Sequence, residues 1–391
     1  MVLQEYNSII GNLFNSIKRS IFKRIVDRHQ GDRYFKSFRT WEHFVSIFLG
    51  QILKNCNSLR DIEDFLLSNQ NQWYHLGIKH KITRSTISYA NNNRSWEIFF
   101  DIFKYLLAKT KNLTEPINPV KIIDSTPIFL NLNLCTWAER TLRIKGMKMH
   151  TVFDLNSKNP VHFTFTGAKT NDIEEGKKVE IKKGTTYVFD RGYINFNWWN
   201  EIIEKGAYFV TRPTSRIAFI EQSEKIKENE IISYQYVKLK NKFTKYGTNS
   251  VKNKCADKKL KLVFIDRKND KPMVLITNKI DASNEEISQL YQKRWQIELF
   301  FKWIKQNLQI KSFLGRSENA VKLQICVALI AYLLIQQAEE LKEYMSEVCK
   351  YFTESKFIKL INNNIFQTLK PRKYGKNARD NPWQLTFDFC T

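Results

Sequence analysis

Between Glu285 and Ile310 the sequence EEISQLYQKRWQIELFFKWIKQNLQI holds no Gly or Pro, and no other stretch restricts the fold as strongly. Acids open it and lysines lie near its end, which suits the dipole of a helix. Ile287, Leu290, Trp295, Ile297, Leu299, Phe300, Phe301, Trp303, Ile304 and Leu308 make most of its surface apolar, so a helix here must be largely buried. Against that background Tyr291, Arg294, Glu298, Lys302 and Lys305 recur at steps of three, four, four and three. At roughly 100° per residue they fall within an arc of about 80°, a narrow stripe with one carboxylate among three cations. Alone, the stripe has two readings: a solvated face laced by i,i+4 ion pairs, or the polar wall of a site.

Lys and Arg number 63 against 39 Asp and Glu, a net charge of +24 on 391 residues that are 42% hydrophobic and 14% aromatic. That apolar content suffices for two or three domains and excludes a disordered chain. So large a basic excess points to a polyanionic partner, nucleic acid first and a membrane surface second. No segment has the order of a signal peptide, and the most apolar stretch, Val321 to Ile335, is broken by Lys322 and Gln324 and reads as a buried helix. The six cysteines, at 56, 135, 255, 326, 349 and 390, form no C-x-x-C pair, and the six histidines are scattered. That argues against a zinc site or disulfide scaffold and fits a reducing cytoplasm.

Residues 1–108 read as all helical. Apolar residues recur at helical spacing from Trp41 to Leu53, and Ser58 caps a helix with Asp61 in its first turn. After a turn at Gly77, the stretch Ile82 to Ala90 is rich in Arg, Ser and Thr and suits the recognition helix of a helix-turn-helix, with Arg84 as a DNA contact. Residues 109–119 carry two prolines and read as a linker. A mixed α/β layout follows: strands at Val120–Asp124, Lys145–Leu155 and Val161–Thr166, a short helix in 171–181, a strand at Thr185–Asp190, a helix at Phe196–Glu204 and a strand at Ala207–Arg212. Residues 214–274 read as a β-rich, Lys-rich insertion, and the core resumes over 275–320. Residues 321–391 read as C-terminal helices and a basic tail.

Asp124 and Asp190 each end a β-run, and Glu298 lies on the downstream helix. Three carboxylates without His or Cys companions suit Mg²⁺ or Mn²⁺ rather than zinc. Two such ions about 3.5–4 Å apart serve hydrolysis and transfer at a phosphodiester, and shared carboxylates lower the repulsion between them. Asp154, Asp172, Glu174 and Glu175 compete for the role, but capping or solvation explains them.

The chain resembles the bacterial DDE-class transposases of the family named for insertion sequence 4. Its helix signature, Tyr, two residues, Arg, three residues, Glu, six residues, Lys, fits Tyr291, Arg294, Glu298 and Lys305, with Lys302 at an additional basic position. Ile122-Ile-Asp124-Ser-Thr126 matches the first acid and Val188-Phe-Asp190-Arg-Gly-Tyr193 the second, while Arg212 closes Tyr208-Phe-Val-Thr-Arg212. In the N-terminal part, Asn57-Ser-Leu-Arg-Asp61 and Thr83-Arg-Ser-Thr-Ile-Ser88 carry the likeness, which thus spans roughly residues 20–340.

The resemblance implies an α/β, ribonuclease H-like catalytic core with a β-rich insertion, an all-helical N-terminal DNA-binding domain and C-terminal helices. It implies Asp124, Asp190 and Glu298 as catalytic metal ligands for two Mg²⁺ or Mn²⁺ ions per active site. DNA contacts are expected at Tyr291, Arg294, Lys302, Lys305, Arg212, Arg191 and Tyr193. The implied activity is cut-and-paste transposition on double-stranded DNA with terminal inverted repeats, followed by joining to target DNA. A homodimer in a synaptic complex, a cytoplasmic, nucleoid-associated location and no membrane role complete the expectation. One departure is that residues 204–290 contain no Trp to stack on a flipped base, leaving Phe219, Tyr234, Tyr236 or Phe243 for that task. Two alternatives are a non-catalytic sequence-specific DNA-binding protein and a ribonuclease H-like nuclease that cuts without joining.

Overall fold

The computed structural model describes residues 8–110, 118–246, 249–267, 270–308, 310 and 312–338, with 359, 361, 363–366, 370–371 and 385–386 beyond. The basic tail read within 321–391 lies for the most part outside them. The chain divides into two compact units, one of Met1–Lys111, Leu132–Trp137 and Lys302–Thr391, the other of Asn112–Asn131 and Ala138–Phe301.

The first unit is helical. It contains α1 (Ile9–Asn15), α2 (Arg19–Arg28), α3 (Thr40–Ile52), α4 (Leu59–Ser68), α5 (Trp73–Leu76), α6 (Arg84–Asn93) and α7 (Glu97–Thr110). Local chemistry sets the ends. Ser58 and Asp61 form a reciprocal capping box at the start of α4, and Thr83 accepts from the Thr86 amide at the start of α6. Gly77, at φ 66°, supplies the left-handed turn that ends α5. The α3 helix is buried along its whole length, with Phe44 and Phe48 in an aromatic cluster with Phe14 and Trp41.

The second unit is built on a sheet. Its elements are β1 (Val120–Phe129), β2 (Glu139–Arg140), β3 (Lys145–Asp154), β4 (Asn159–Gly167), α8 (Asp172–Gly176), β5 (Thr186–Phe189), α9 (Phe196–Glu204) and β6 (Tyr208–Thr211). β7 (Phe219–Glu221), β8 (Ile226–Lys227), β9 (Ile232–Leu239), β10 (Phe243–Tyr246), β11 (Asn249–Lys252), β12 (Leu260–Arg267) and β13 (Asp270–Thr277) follow. Then come α10 (Asn284–Gln292), α11 (Trp295–Asn307) and α12 (Glu318–Gln337), with the boundary between the units falling inside α11.

β3 runs antiparallel to β1 and carries β4 beyond it, while β5 and β6 run parallel to β1 on its other side. An antiparallel hairpin beside a helix-connected parallel set is the ribonuclease H-like arrangement that the family resemblance implies. One face buries Ile123, Val152, Phe189 and Phe209 against Trp198, Trp199 and Ile202 of α9. On the other face Phe153 meets Phe300 of α11, ring centroids 5.4 Å apart.

The β-rich insertion continues this sheet. β13 pairs antiparallel with β6 through Ile276↔Thr211 and Thr277↔Val210, β12 and β9 follow outward, and Val237 and Leu239 join the same apolar core. α12 is the one helix among the described residues long and apolar enough to cross a membrane, yet most of it is buried, as the sequence predicts for a core helix.

Two local expectations change. The run at Val120–Asp124 does not stop at its acid, because β1 continues through Pro127 to Phe129. β5 has ended by then, at the pair Ile123↔Phe189, so that side of β1 has no ladder for Pro127 to break. And 285–310 is two helices: α10 stops at Gln292, α11 starts at Trp295, and the junction is tightened by i−3 bonds from Arg294 N to Tyr291 O (3.1 Å) and Gln296 N to Lys293 O (2.9 Å). The sequence has no breaker there.

Candidate active site

Asp124 is the first residue of β1 past its last parallel pair, and Asp190 is the first past the end of β5. Adjacent parallel strands therefore deliver both acids to one edge of the sheet. Each has an oxygen held by a backbone amide: Ser125 N–H donates to Asp124 Oδ1 and Gly192 N–H to Asp190 Oδ1, both at 2.8 Å. Burial, then the negative charge of Asp190, pushes the Asp124 carboxyl up to about 7, against the Ser125 amide and Arg294. Burial raises Asp190 as well, offset by the Gly192 amide and Arg294. Two carboxylates that resist ionising together lack positive charge between them.

The helix pair supplies part of that charge. Ser283 caps α10 by accepting from the Glu286 amide, and the tight junction after α10 carries Arg294. The Arg294 guanidinium pairs with Asp124 Oδ2 at 3.3 Å and with Glu298 Oε1, and lies over the Tyr291 ring at 5.9 Å. Asp124, Arg294 and Glu298 are 17%, 18% and 32% exposed, so the cluster is largely sheltered but keeps some access to solvent.

Arg212 follows β6 directly, and the Thr211 hydroxyl donates to the Asp190 carbonyl at 3.3 Å. The positive charge of Arg212 acts on the Tyr291 phenol, whose pKa burial raises, and its own Nε is buried without a hydrogen-bond partner among the described residues. Arg191 is exposed beside Asp190. Tyr193 is 1% exposed and lies beneath the acids rather than on the surface. Its phenol is pushed well up by burial and then by Asp124, Asp172 and Asp190; its hydroxyl has no well-aligned partner among the described residues, Ser125 giving a partial one.

The other expected positions belong to the helical unit. Lys302, exposed, and Lys305, half-buried, follow Glu298 along α11, and Arg84 is exposed at the first position of α6, on a face shared with Ser85, Ser88, Tyr89, Asn92 and Asn93.

Asp154 accepts from the Asn156 and Ser157 amides at 2.9 Å, a turn cap as the sequence suggests. Glu174 and Glu175 pair with Lys177 and Lys178. Asp172 departs from the capping reading, because it pairs with Lys148 of β3 at 3.0 Å and its charge reaches Asp190. The only sequence signal for this pair is weak, two basic-type residues, Lys148 and His150, alternating onto one strand face. Trp295, counted among the buried positions of the helix, is 55% exposed beside Arg294.

The donor set of this edge is oxygen alone, which fits a hard divalent cation. Among the described residues no three His, Cys, Asp or Glu side chains stand close enough together to hold an ion as they are. The Arg294 guanidinium supplies the positive charge between Asp124 and Glu298.

Comparison with known proteins identifies the family. Residues 116–334 match the transposase DDE domain, and residues 5–79 match a domain of unknown function (DUF4372). "Putative transposase y4zB" of Sinorhizobium fredii is 36% identical over 274 residues, 67% of this chain and 73% of that one. "Probable transposase for insertion sequence element IS5377" of Geobacillus stearothermophilus is 28% identical over 293 residues, 70% and 74% of the two chains. "Putative transposase for insertion sequence element IS4SA" of a Synechocystis species is 26% identical over 307 residues, 75% and 80%. With a domain match over more than half of its length and a relative at 36% identity, the chain belongs to the transposase DDE-domain family.

Proposed function

We propose that the chain catalyses cut-and-paste movement of an insertion sequence, using Asp124, Asp190 and Glu298 to hold two Mg²⁺ or Mn²⁺ ions. When bound, such ions supply an activated water or 3′-hydroxyl and stabilise the leaving oxygen of a phosphodiester. Nicking, hairpin formation on the opposite strand, hairpin opening and target joining are all attacks by an O–H on a phosphodiester, so one site serves each. Asp124 and Asp190 each have one oxygen fixed by an amide, and the second oxygen of Asp124, paired with Arg294, becomes available to an ion when that guanidinium turns to the DNA. Arg294, once free of the acids, presents a planar fork to the phosphate beside the cut, with Tyr291 and Arg212 around it. Arg191, Lys302 and Lys305 extend the phosphate contacts, and Trp295 is the exposed aromatic best suited to stack on an extruded base. The α6 face carrying Arg84 reads the inverted repeats, and two copies of the chain hold two ends in a synaptic complex on nucleoid DNA.

What carries this reading is the convergence of Asp124, Asp190 and the Arg294–Glu298 pair on one edge of a ribonuclease H-like sheet. The test is cleavage and strand transfer on the element's ends with Mg²⁺, comparing wild type with Asp124→Asn, Asp190→Asn and Glu298→Gln. Each substitution is expected to abolish both activities while end binding persists. Binding without metal-dependent cleavage by the wild type means a non-catalytic DNA-binding protein. Cleavage without joining means a nuclease, and cleavage that survives all three substitutions removes the site.

A further inference from the structure

Asp172 does not belong to the transposase signature, yet its position ties it to the acids. It opens α8, and the Lys148 ammonium, 12% exposed, holds it at Oδ1 over 3.0 Å while also donating to the Thr170 carbonyl at 2.8 Å. His150, two residues along β3, stands with Nδ1 3.8 Å from the same oxygen and Nε2 2.7 Å from the Thr166 hydroxyl. Burial keeps that imidazole neutral by lowering its pKa, so Lys148 is the cation that holds Asp172. A Cβ placed on Gly192 would lie 3.0 Å from Asp190 Oδ1 and 3.6 Å from Asp172 Oδ2, so both carboxylates border the same turn.

The register shows how Asp172 gets there. Asp124 faces Thr151 and lies on the α11 side of the sheet, whereas Ser125 faces His150 on the opposite side, under α8. Asp172 therefore approaches the edge from beneath, at the Asp190–Tyr193 turn. There the buried Tyr193 hydroxyl, lacking a well-aligned partner among the described residues, is flanked by Asp124, Asp172 and Asp190.

We propose that Lys148 and Asp172 are positioning residues of the cation site: Lys148 fixes Asp172 so that its outer oxygen and the Tyr193 hydroxyl orient water on the ions bound by Asp124, Asp190 and Glu298. This rests on the metal-binding reading given above. Mg²⁺ and Mn²⁺ commonly keep part of their water shell, and outer carboxylates that orient such water set affinity as the direct ligands do.

The charge of Lys148 makes the proposal testable. Removing a cation beside a cation site tightens divalent binding by electrostatics alone, whereas losing the hold on Asp172 weakens it. Mn²⁺ affinity of the full chain without DNA would be measured by calorimetry for wild type, Lys148→Gln, Lys148→Arg and Asp172→Asn, with far-UV circular dichroism checking the fold. Lys148→Gln and Asp172→Asn are expected to weaken Mn²⁺ at least fivefold and to raise by a similar factor the Mg²⁺ needed for half-maximal cleavage. Lys148→Arg is expected to stay within about twofold of wild type. Unchanged or tighter Mn²⁺ binding by folded Lys148→Gln overturns the proposal, and so does unchanged binding by Asp172→Asn. If Asp172→Asn does not fold, Lys148→Gln decides alone; if both fail to fold while Lys148→Arg folds, the pair is structural and the proposal falls. Asp124→Asn is the control: a variant that binds Mn²⁺ like wild type sinks the underlying metal site instead.

Discussion

Arg294 joins Asp124, at 3.3 Å, to Glu298, so one guanidinium neutralises two acids that lie far apart in the sequence. On the metal-binding reading proposed above, it competes with a divalent ion for the same acids. Arg294→Gln should therefore lower the melting temperature of the metal-free protein, by about 1–2 kcal/mol of stability, because two partly buried carboxylates lose their counter-charge. The same variant should gain more melting temperature from added Mn²⁺ than wild type does. Equal gains in the two proteins would mean that guanidinium and ion do not compete.

The raised Asp124 carboxyl makes metal-free stability depend on pH. Its pKa rises from about 3.9 in the unfolded chain to about 7 in the fold. The folded state then binds more protons between these values, so stability is fully present below about pH 4 and is lost as pH rises toward about 7. Asp124→Asn should remove that decline and be the more stable protein at pH 8, by an amount on the order of a few kcal/mol. Urea melts at a series of pH values would reveal it, and parallel curves for the two proteins would contradict it.

A net charge of +24 should make DNA affinity fall steeply with salt. Arg191→Ala and Arg84→Ala, both at exposed positions, should each weaken binding and flatten the log–log salt slope by about one. Arg84→Ala should in addition reduce preference for end sequence over random DNA. A slope near zero for wild type, measured by fluorescence anisotropy, would exclude an extended phosphate interface.

Trp199 is fully buried between α9 and the sheet, its ring stacked on Phe209 at 4.7 Å. Trp199→Ala should cost roughly 3–5 kcal/mol. Chemical denaturation should show that loss without altered divalent affinity in the protein that remains folded.

Local signals in the chain were legible where the physics is local. The helix Phe196–Glu204 is read residue for residue, since Asn195 caps it and its apolar stripe follows the helical period. The cap at Ser58, the buried character of α12 and the two acids at the sheet edge follow from the same kind of pattern. What escaped reading depends on partners remote in sequence. Nothing near Asp124 tells that β3 pairs with β1 as far as Phe129 while β5 stops at Phe189. The break before Arg294 has no Gly or Pro to announce it, and it coincides with the residue that reaches across to Asp124. Asp172 looked like any acid at a helix start, because Lys148 lies 24 positions earlier in the chain.

The pairing of β13 with β6 has a mechanical consequence. An insertion hung on two loops could swing like a lid, but this one is bolted through Ile276↔Thr211 and Thr277↔Val210 to the strand that ends at Arg212. A displacement of its outer strands would have to travel as twist along the sheet toward Thr211, whose hydroxyl donates to the Asp190 carbonyl. The insertion and the edge that carries Asp190 are therefore parts of one continuous sheet rather than two bodies joined by a hinge.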